Sequence, residues 1–386
     1  MAREADTAQG PIDWTLLGAT LALVALGLMM VYSSTSDMGY RLHGDAAYFF
    51  KRQALWLIFG LGLMGVAAWF PYHHWKRLSI PLMAVALLAL IALAVLREGR
   101  LLWKQSISPV ELAKLAMIIY IGHWLSSKGS RVRQLSYGLL PFTIIVGVIA
   151  GLVVAQPDMS EALVIVLVAV AMFFLAGADP LQFLVGIVSG SVAFYFVIEH
   201  LPHAMERIKP YLQEIRDPLH STNLQLSQGL LALSSGGFTG FGPGEGRMKY
   251  LWLPAAHTDS IFAVVGEELG LVGSLLLIGL FALLVYRGLR LALYAPDPFA
   301  RLLAAGFSLW IGFQALINMA VVTGTIPYTG ITLPFVSVGG SSLVACLVGV
   351  GITLNISRAV NAQEAARARR RPASVWRPAS DADSRT

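Results

Sequence analysis

Charge is what this chain has least of. Asp, Glu, Lys and Arg together make up 13% of its 386 residues, against 56% hydrophobic ones, where a soluble domain carries about a quarter charged. That scarcity excludes an ordinary soluble globular fold and leaves a polytopic membrane protein. Cysteine is nearly absent too. Cys346 stands alone inside an apolar run, so no internal disulfide can form and the thiol reads as a small packed side chain. The glycine-rich run from Gly236 to Gly246 has no preceding strand pattern and no closing Gly-Lys-Ser/Thr. A nucleotide P-loop is thereby excluded, leaving packing or a part in substrate access. His73-His74 lacks partners at metal-ligand spacing. No small-residue cleavage site follows the first apolar run, Trp14 to Tyr32, so that run is expected to be kept as a helix rather than removed as a signal peptide.

What is present is a succession of apolar windows long enough to cross a bilayer. They fall at roughly 13–34, 53–70, 79–96, 110–126, 139–155, 161–177, 181–199, 260–285, 299–322 and 340–356. The fold class expected is all-α and polytopic, with about ten transmembrane helices and a large extracytoplasmic loop, about 201–259, between the seventh and eighth. An even number puts both termini on one side. Lys76, Arg77, Lys128, Arg131, Arg133, Arg287, Arg290 and Arg301 fall on one set of connections, joined by Arg367, Arg369, Arg370 and Arg371 of the tail. By the positive-inside rule that side is cytoplasmic. The expected organisation is a cytoplasmic tail at 1–12, a transmembrane domain over 13–357 and a basic, disordered cytoplasmic tail at 358–386. Beside a last membrane helix, the basic run reads as a topology determinant or a contact with anionic lipid rather than a nucleic-acid site.

The opposite face carries more polar groups than anchoring needs. Leu201, Met205, Ile208, Leu212 and Ile215 repeat at helical spacing with Arg207, Lys209 and Arg216 between them, the pattern of an amphipathic segment on the membrane surface. Glu111 and Lys114, three residues apart at a helix mouth, share a face and can neutralise each other. Asp158 follows Pro157 in a tight turn, with Glu161 just beyond. Arg52, Arg100, Lys104, Arg207, Arg247 and Lys249 lie on the same side, an excess of cations suited to an anionic headgroup such as a pyrophosphate. Asp259, delivered by His257-Thr258 to the start of an apolar run, is the first acid to explain, because charge at a membrane boundary is costly. Glu267 and Glu268, about two turns on, read as ligands of partner helices or backbone. His257 is a rival base by its ordinary pKa, but a bond to the loop backbone is the simpler reading.

Several stretches carry a resemblance: Lys249 to Val264 with Gly266-Glu267-Glu268-Leu269-Gly270, and Leu333-Pro334-Phe335-Val336-Ser337-Val338-Gly339-Gly340-Ser341-Ser342. Supporting them are Val31-Tyr32-Ser33, Phe50-Lys51-Arg52-Gln53, Glu111-Leu112-Ala113-Lys114, Gln156-Pro157-Asp158 and Gln314-Ala315-Leu316-Ile317-Asn318. In this order they resemble the SEDS family (shape, elongation, division and sporulation), and its FtsW division branch more than its RodA branch. The resemblance implies a peptidoglycan glycosyltransferase that polymerises lipid II on the outer face of the bacterial cytoplasmic membrane. It implies a class B penicillin-binding protein as transpeptidase partner, with other divisome or elongasome membrane proteins. The family's catalytic acid falls on Asp259, its paired acid and lysine on Glu111 and Lys114, and the acid of its turn on Asp158. Ser341, with Arg52, Arg207, Lys249 and His257, falls among the pocket residues.

The chemistry fits such a transfer: one carboxylate takes the proton of the attacking sugar hydroxyl while cations steady the departing pyrophosphate. The motifs demand no cofactor, although a divalent cation such as Mg2+ or Mn2+, held mainly by substrate phosphates, would leave little trace. The chain departs from the family pattern at Ser108-Pro109-Val110-Glu111, at Met159-Ser160-Glu161 with its added carboxylate, at Ala255, at Val338 and at Glu98-Gly99-Arg100. The alternatives are a lipid II flippase and a noncatalytic scaffold of a cell-wall synthase. A flippase needs polar groups along the whole crossing path, whereas here the charges gather at the outer helix ends.

Overall fold

The structure, a computed structural model, describes residues 10–95, 108–156, 158–186, 188, 190, 224–250, 253–327 and 329–370. Its helices are α1 (Trp14–His43), α2 (Tyr48–Trp69), α3 (His74–Val95), α4 (Pro109–Lys128), α5 (Leu140–Val154), α6 (Met159–Leu175), α7 (Leu224–Ser235), α8 (Ile261–Leu293), α9 (Pro298–Val322) and α10 (Gly340–Arg370). Local chemistry sets their ends. The Asp13 carboxylate caps α1 by accepting from Leu16 N, and Gly44, in the left-handed region at φ 69°, closes it. Asp297 caps α9 through Phe299 N and Ala300 N, with Pro298 at the first helical position.

Seven of these segments are long and apolar enough to cross a membrane: α1, α2, α3, α5 with the turn of π-helix before it, α8, α9 and α10. The shorter α6 is apolar as well, and α4 carries Glu111 and Lys114 in its first two turns. Residues 180–186 are helical, and the rest of the expected seventh span lies largely outside the described residues. So does the amphipathic stretch at 201–216. The multi-pass architecture follows from hydropathy.

Packing sorts the helices. In the apolar window of α9, 67% of residues are buried, against 22% in α2 and α3. α9 packs against α4, α6, α8 and α10 and forms the centre. α2 and α3 turn Leu55, Ile58, Ile80 and Leu88 outward, as lipid-facing helices do. The N-termini of α2, α4, α6, α8 and α10 and the C-terminal ends of α1 and α9 gather at one end of the bundle, the end that carries the site. At the other end Asp13 pairs with Arg287 at 2.5 Å, and the Tyr72 hydroxyl donates to Asp297 at 2.6 Å.

α10 departs from expectation. The chain after Ser357 reads as a disordered tail, but the helix runs on to Arg370. It does so because the N-terminal segment docks on it: Asp13 N donates to Ser357 Oγ at 3.0 Å, Gly10 N to Arg358 O at 3.1 Å and Asn361 Nδ2 to Pro11 O at 2.7 Å. Alanines among the following residues sustain the helix.

α8 is broken at Gly270, whose φ of 64° and ψ of −163° only glycine adopts without strain. The glycine-rich run wraps this break. Phe241 N and Gly242 N donate to Glu267 O and Glu268 O, while Leu271 N and Val272 N donate to Gly237 O and Phe238 O. A Cβ on Gly270 would lie 2.4 Å from Gly240 N, and one on Gly240 would lie 2.1 Å from Glu268 O. The run is therefore packing, built of glycine so that two backbones can meet. Gly270→Ala should lower thermal stability by about 1–3 kcal/mol or more, read as a drop in melting temperature in detergent. An unchanged melting temperature would show that the break is not held as described.

Candidate active site

The turn that carries Asp259 is fixed through its own backbone. Val338 N donates to His257 O at 2.9 Å, Ser337 Oγ to Thr258 O at 2.6 Å and Asn318 Nδ2 to Asp259 O at 2.9 Å. Three successive carbonyls are thus held by α9 and by the segment leading into α10. The Asp259 side chain is half-buried, and its Oδ2 stands 3.3 Å from where a Cβ on Gly330 would be. Ser337 in turn accepts from Leu333 N at 2.8 Å, and Gln53 of α2 reaches Ser337 O and Gly339 N. The second motif and the Gln53 position therefore serve to hold the first.

Beside this turn lies a buried charge cluster. Lys114, 1% exposed at its side chain, meets Glu111 Oε2 at 2.9 Å and Glu161 Oε2 at 2.7 Å. It also donates to Gln314 Oε1 at 2.8 Å and sits 5.0 Å from the Trp310 ring centroid. Glu111 and Lys114 pair as expected from their spacing. The third charged member, Glu161, comes from α6 and was visible in sequence only as an extra carboxylate near Asp158. Gln314 and Asn318 stand in the sequence only as ends of a supporting motif, with no role assigned to either. They stand four apart on α9, about 6 Å along its axis, and join the two halves of the site: Gln314 binds Lys114 and Thr332, while Asn318 binds Asp259 and Ile331. Two amides one turn apart inside a buried apolar helix were the available signal.

The remaining candidates divide. Ser341 Oγ accepts from Ser108 N at 3.0 Å, tying the start of α10 to that of α4. Arg52 is half-buried in the first turns of α2, and Asp158 is exposed as the residue before α6. The half-buried His257 ring lies 6.5 Å, centroid to centroid, from that of Phe49, and burial lowers its pKa below the ordinary histidine value. It is its carbonyl that bonds the loop backbone. Arg207, Arg100 and Lys104 lie outside the described residues.

Lys249 is held inside the protein rather than presented to an anion. Its ammonium, on a side chain 3% exposed, meets Glu268 Oε1 at 2.7 Å, Ser33 Oγ at 2.8 Å and Gly244 O at 2.7 Å. Glu268 accepts further from Ser33 Oγ and Gly244 N, and Glu267 from Arg247 N and Met248 N. Glu268 thus ligates backbone and α1 while Glu267 ligates backbone, and together they lock the glycine-rich loop onto α8. Lys249→Gln keeps a donor but removes the charge from a buried pair, so it should cost about 1–3 kcal/mol of stability. The check is melting temperature against apparent affinity for a lipid pyrophosphate; normal stability with weakened affinity would return Lys249 to the binding surface.

Comparison with known proteins accords with this geometry. The family model described as "Cell cycle protein", which spans FtsW, RodA and SpoVE, matches residues 14–362. A probable peptidoglycan glycosyltransferase FtsW of Geobacter metallireducens is 39% identical over 355 residues, covering 89% of this chain and 94% of that protein. The stage V sporulation protein E of Bacillus subtilis is 38% identical, covering 90% and 97%. Among solved structures, a chain of a peptidoglycan synthase complex coordinating polymerization and crosslinking superposes with a TM-score of 0.72 at 29% identity, covering 90% of this chain and 98% of that one. The rod shape determining protein RodA of Thermus thermophilus does so with 0.63 at 27%, covering 90% and 97%.

Proposed function

The chain belongs to the FtsW, RodA and SpoVE family of cell cycle proteins, and from that premise we propose that it is a peptidoglycan glycosyltransferase that polymerises lipid II. The observation that carries the reading is Asp259: a half-buried carboxylate at the mouth of an apolar helix, on a turn whose three carbonyls are bonded from two other segments. Such rigidity is what a general base needs, since its oxygen must meet the proton of the attacking hydroxyl within hydrogen-bond distance. In this reading Asp259 removes that proton as the sugar oxygen attacks the anomeric carbon, and the polyprenyl pyrophosphate leaves. Arg52 and Asp158 lie at the mouth, where they meet the headgroup and its surroundings.

The site end of the bundle faces outward in this proposal. The basic connections and both described chain ends lie at the opposite end, which the positive-inside rule assigns to the cytoplasm. The partner proposed is a class B penicillin-binding protein, which would crosslink the strands made here. That proposal rests on the likeness to the chain from a synthase complex. The test is a gel of products from purified protein and lipid II, with and without a cognate transpeptidase. Glycan ladders are expected. Lipid translocation in liposomes with no polymer under either condition would make the protein a transporter instead.

A further inference from the structure

The Lys114 ammonium has three N–H donors and three acceptors around it, each from a different helix: Glu111 on α4, Glu161 on α6 and Gln314 on α9. The amide of Gln314 is itself fixed. Its oxygen also accepts from Trp310 Nε1 at 2.8 Å, and its nitrogen donates to Thr332 O at 3.2 Å. The two carboxylates are not equivalent. Glu161 accepts an aligned hydrogen bond at 2.7 Å, whereas Glu111 Oε2 approaches at 2.9 Å in the looser geometry of an ion pair. Charge-assisted bonds with good alignment are the stronger kind. Each glutamate lies in the first turn of its helix, where the dipole favours a carboxylate, but the Glu161 side chain is 15% exposed against 6% for Glu111. It loses less solvation than its rival.

We propose that Glu161 is a positioning residue, a second carboxylate anchor of Lys114, acting in parallel with Glu111. This rests on the glycosyltransferase reading above. Because either carboxylate can keep the ammonium charged and seated on Gln314, the pair provides a redundancy that Glu111 and Lys114 alone would lack. Gln314 is one turn from Asn318, which holds Asp259. A displaced Lys114 therefore removes one of the contacts of Gln314, one turn away from the amide that holds the Asp259 turn.

The experiment compares glycan polymerisation and melting temperature for the parent, Glu111→Gln, Glu161→Gln, the double variant and Lys114→Ala, all as full-length protein. Gln keeps the volume of Glu and removes only the charge. Each single variant should stay within about threefold of the parent, and the double should lose more than the two losses combined, falling to the level of Lys114→Ala. Combining Glu161→Asp with Glu111→Gln restores one carboxylate. It should be more active than the double Gln variant at matched melting temperature, a difference that a purely structural role would not produce. Should the double variant fail to fold, the singles decide: a Glu111→Gln protein as inactive as Lys114→Ala overturns the proposal. An active parent with that outcome overturns only the role of Glu161, whereas a parent that makes no glycan overturns the assigned reaction and this role with it.

Discussion

Asp259→Asn should abolish glycan polymerisation while leaving the protein folded. A positioned general base contributes about 10²–10⁴-fold, and Asn cannot take a proton from a hydroxyl, although it matches Asp in size and still forms hydrogen bonds. The substitution is a clean probe here because the carbonyls of His257, Thr258 and Asp259 are each bonded from α9 or from the segment leading into α10, and the change leaves those bonds in place. Melting temperature and association with a transpeptidase should therefore match the parent, with ladders from lipid II missing. A variant polymerising near the parental rate would remove Asp259 from the base role. Lipid translocation, by contrast, needs no base at this position, so its retention in liposomes beside lost polymerisation would not rescue the transporter alternative.

Lys114→Met should be the most damaging single change to the fold. It leaves Glu111 and Glu161 facing each other, 6% and 15% exposed, with the shared cation gone. Removing one partner of a buried charge group costs on the order of 3–5 kcal/mol, because uncompensated charge remains. Replacing the whole group is far milder. Combining Lys114→Met with Glu111→Gln and Glu161→Gln should recover most of the melting temperature without recovering polymerisation. If the single variant is as stable as the triple, the carboxylates are not held together by Lys114 in the way described.

Hydropathy made most of the bundle legible, since a bilayer admits few ways to satisfy a backbone and the apolar windows must be helices. Their expected limits differ from the observed ones mainly where polar residues extend a helix, as at α1, which continues to His43, and at α10. In sequence, residues 358–370 read as a tail because their partners, Gly10 and Pro11, stand at the far end of the chain. Lys249 illustrates the same difficulty. A lysine in an outer loop reads as a surface cation, and only the approach of Ser33, Gly244 and Glu268 makes it an internal one.

The sequence by itself determined the membrane class, the Glu111 and Lys114 pair and the prominence of Asp259, because hydropathy, helical spacing and a charge at an apolar boundary are properties of neighbouring residues. Tertiary structure decided which groups meet across helices. It set Glu161 on Lys114 from 47 residues away and Gln314 on the same ammonium from 200 away. It also bound Asn318 to the Asp259 backbone and folded the glycine-rich run onto the break at Gly270. Such contacts depend on how helices from distant parts of the chain pack at one end of a bundle, and no local pattern encodes the distance between them.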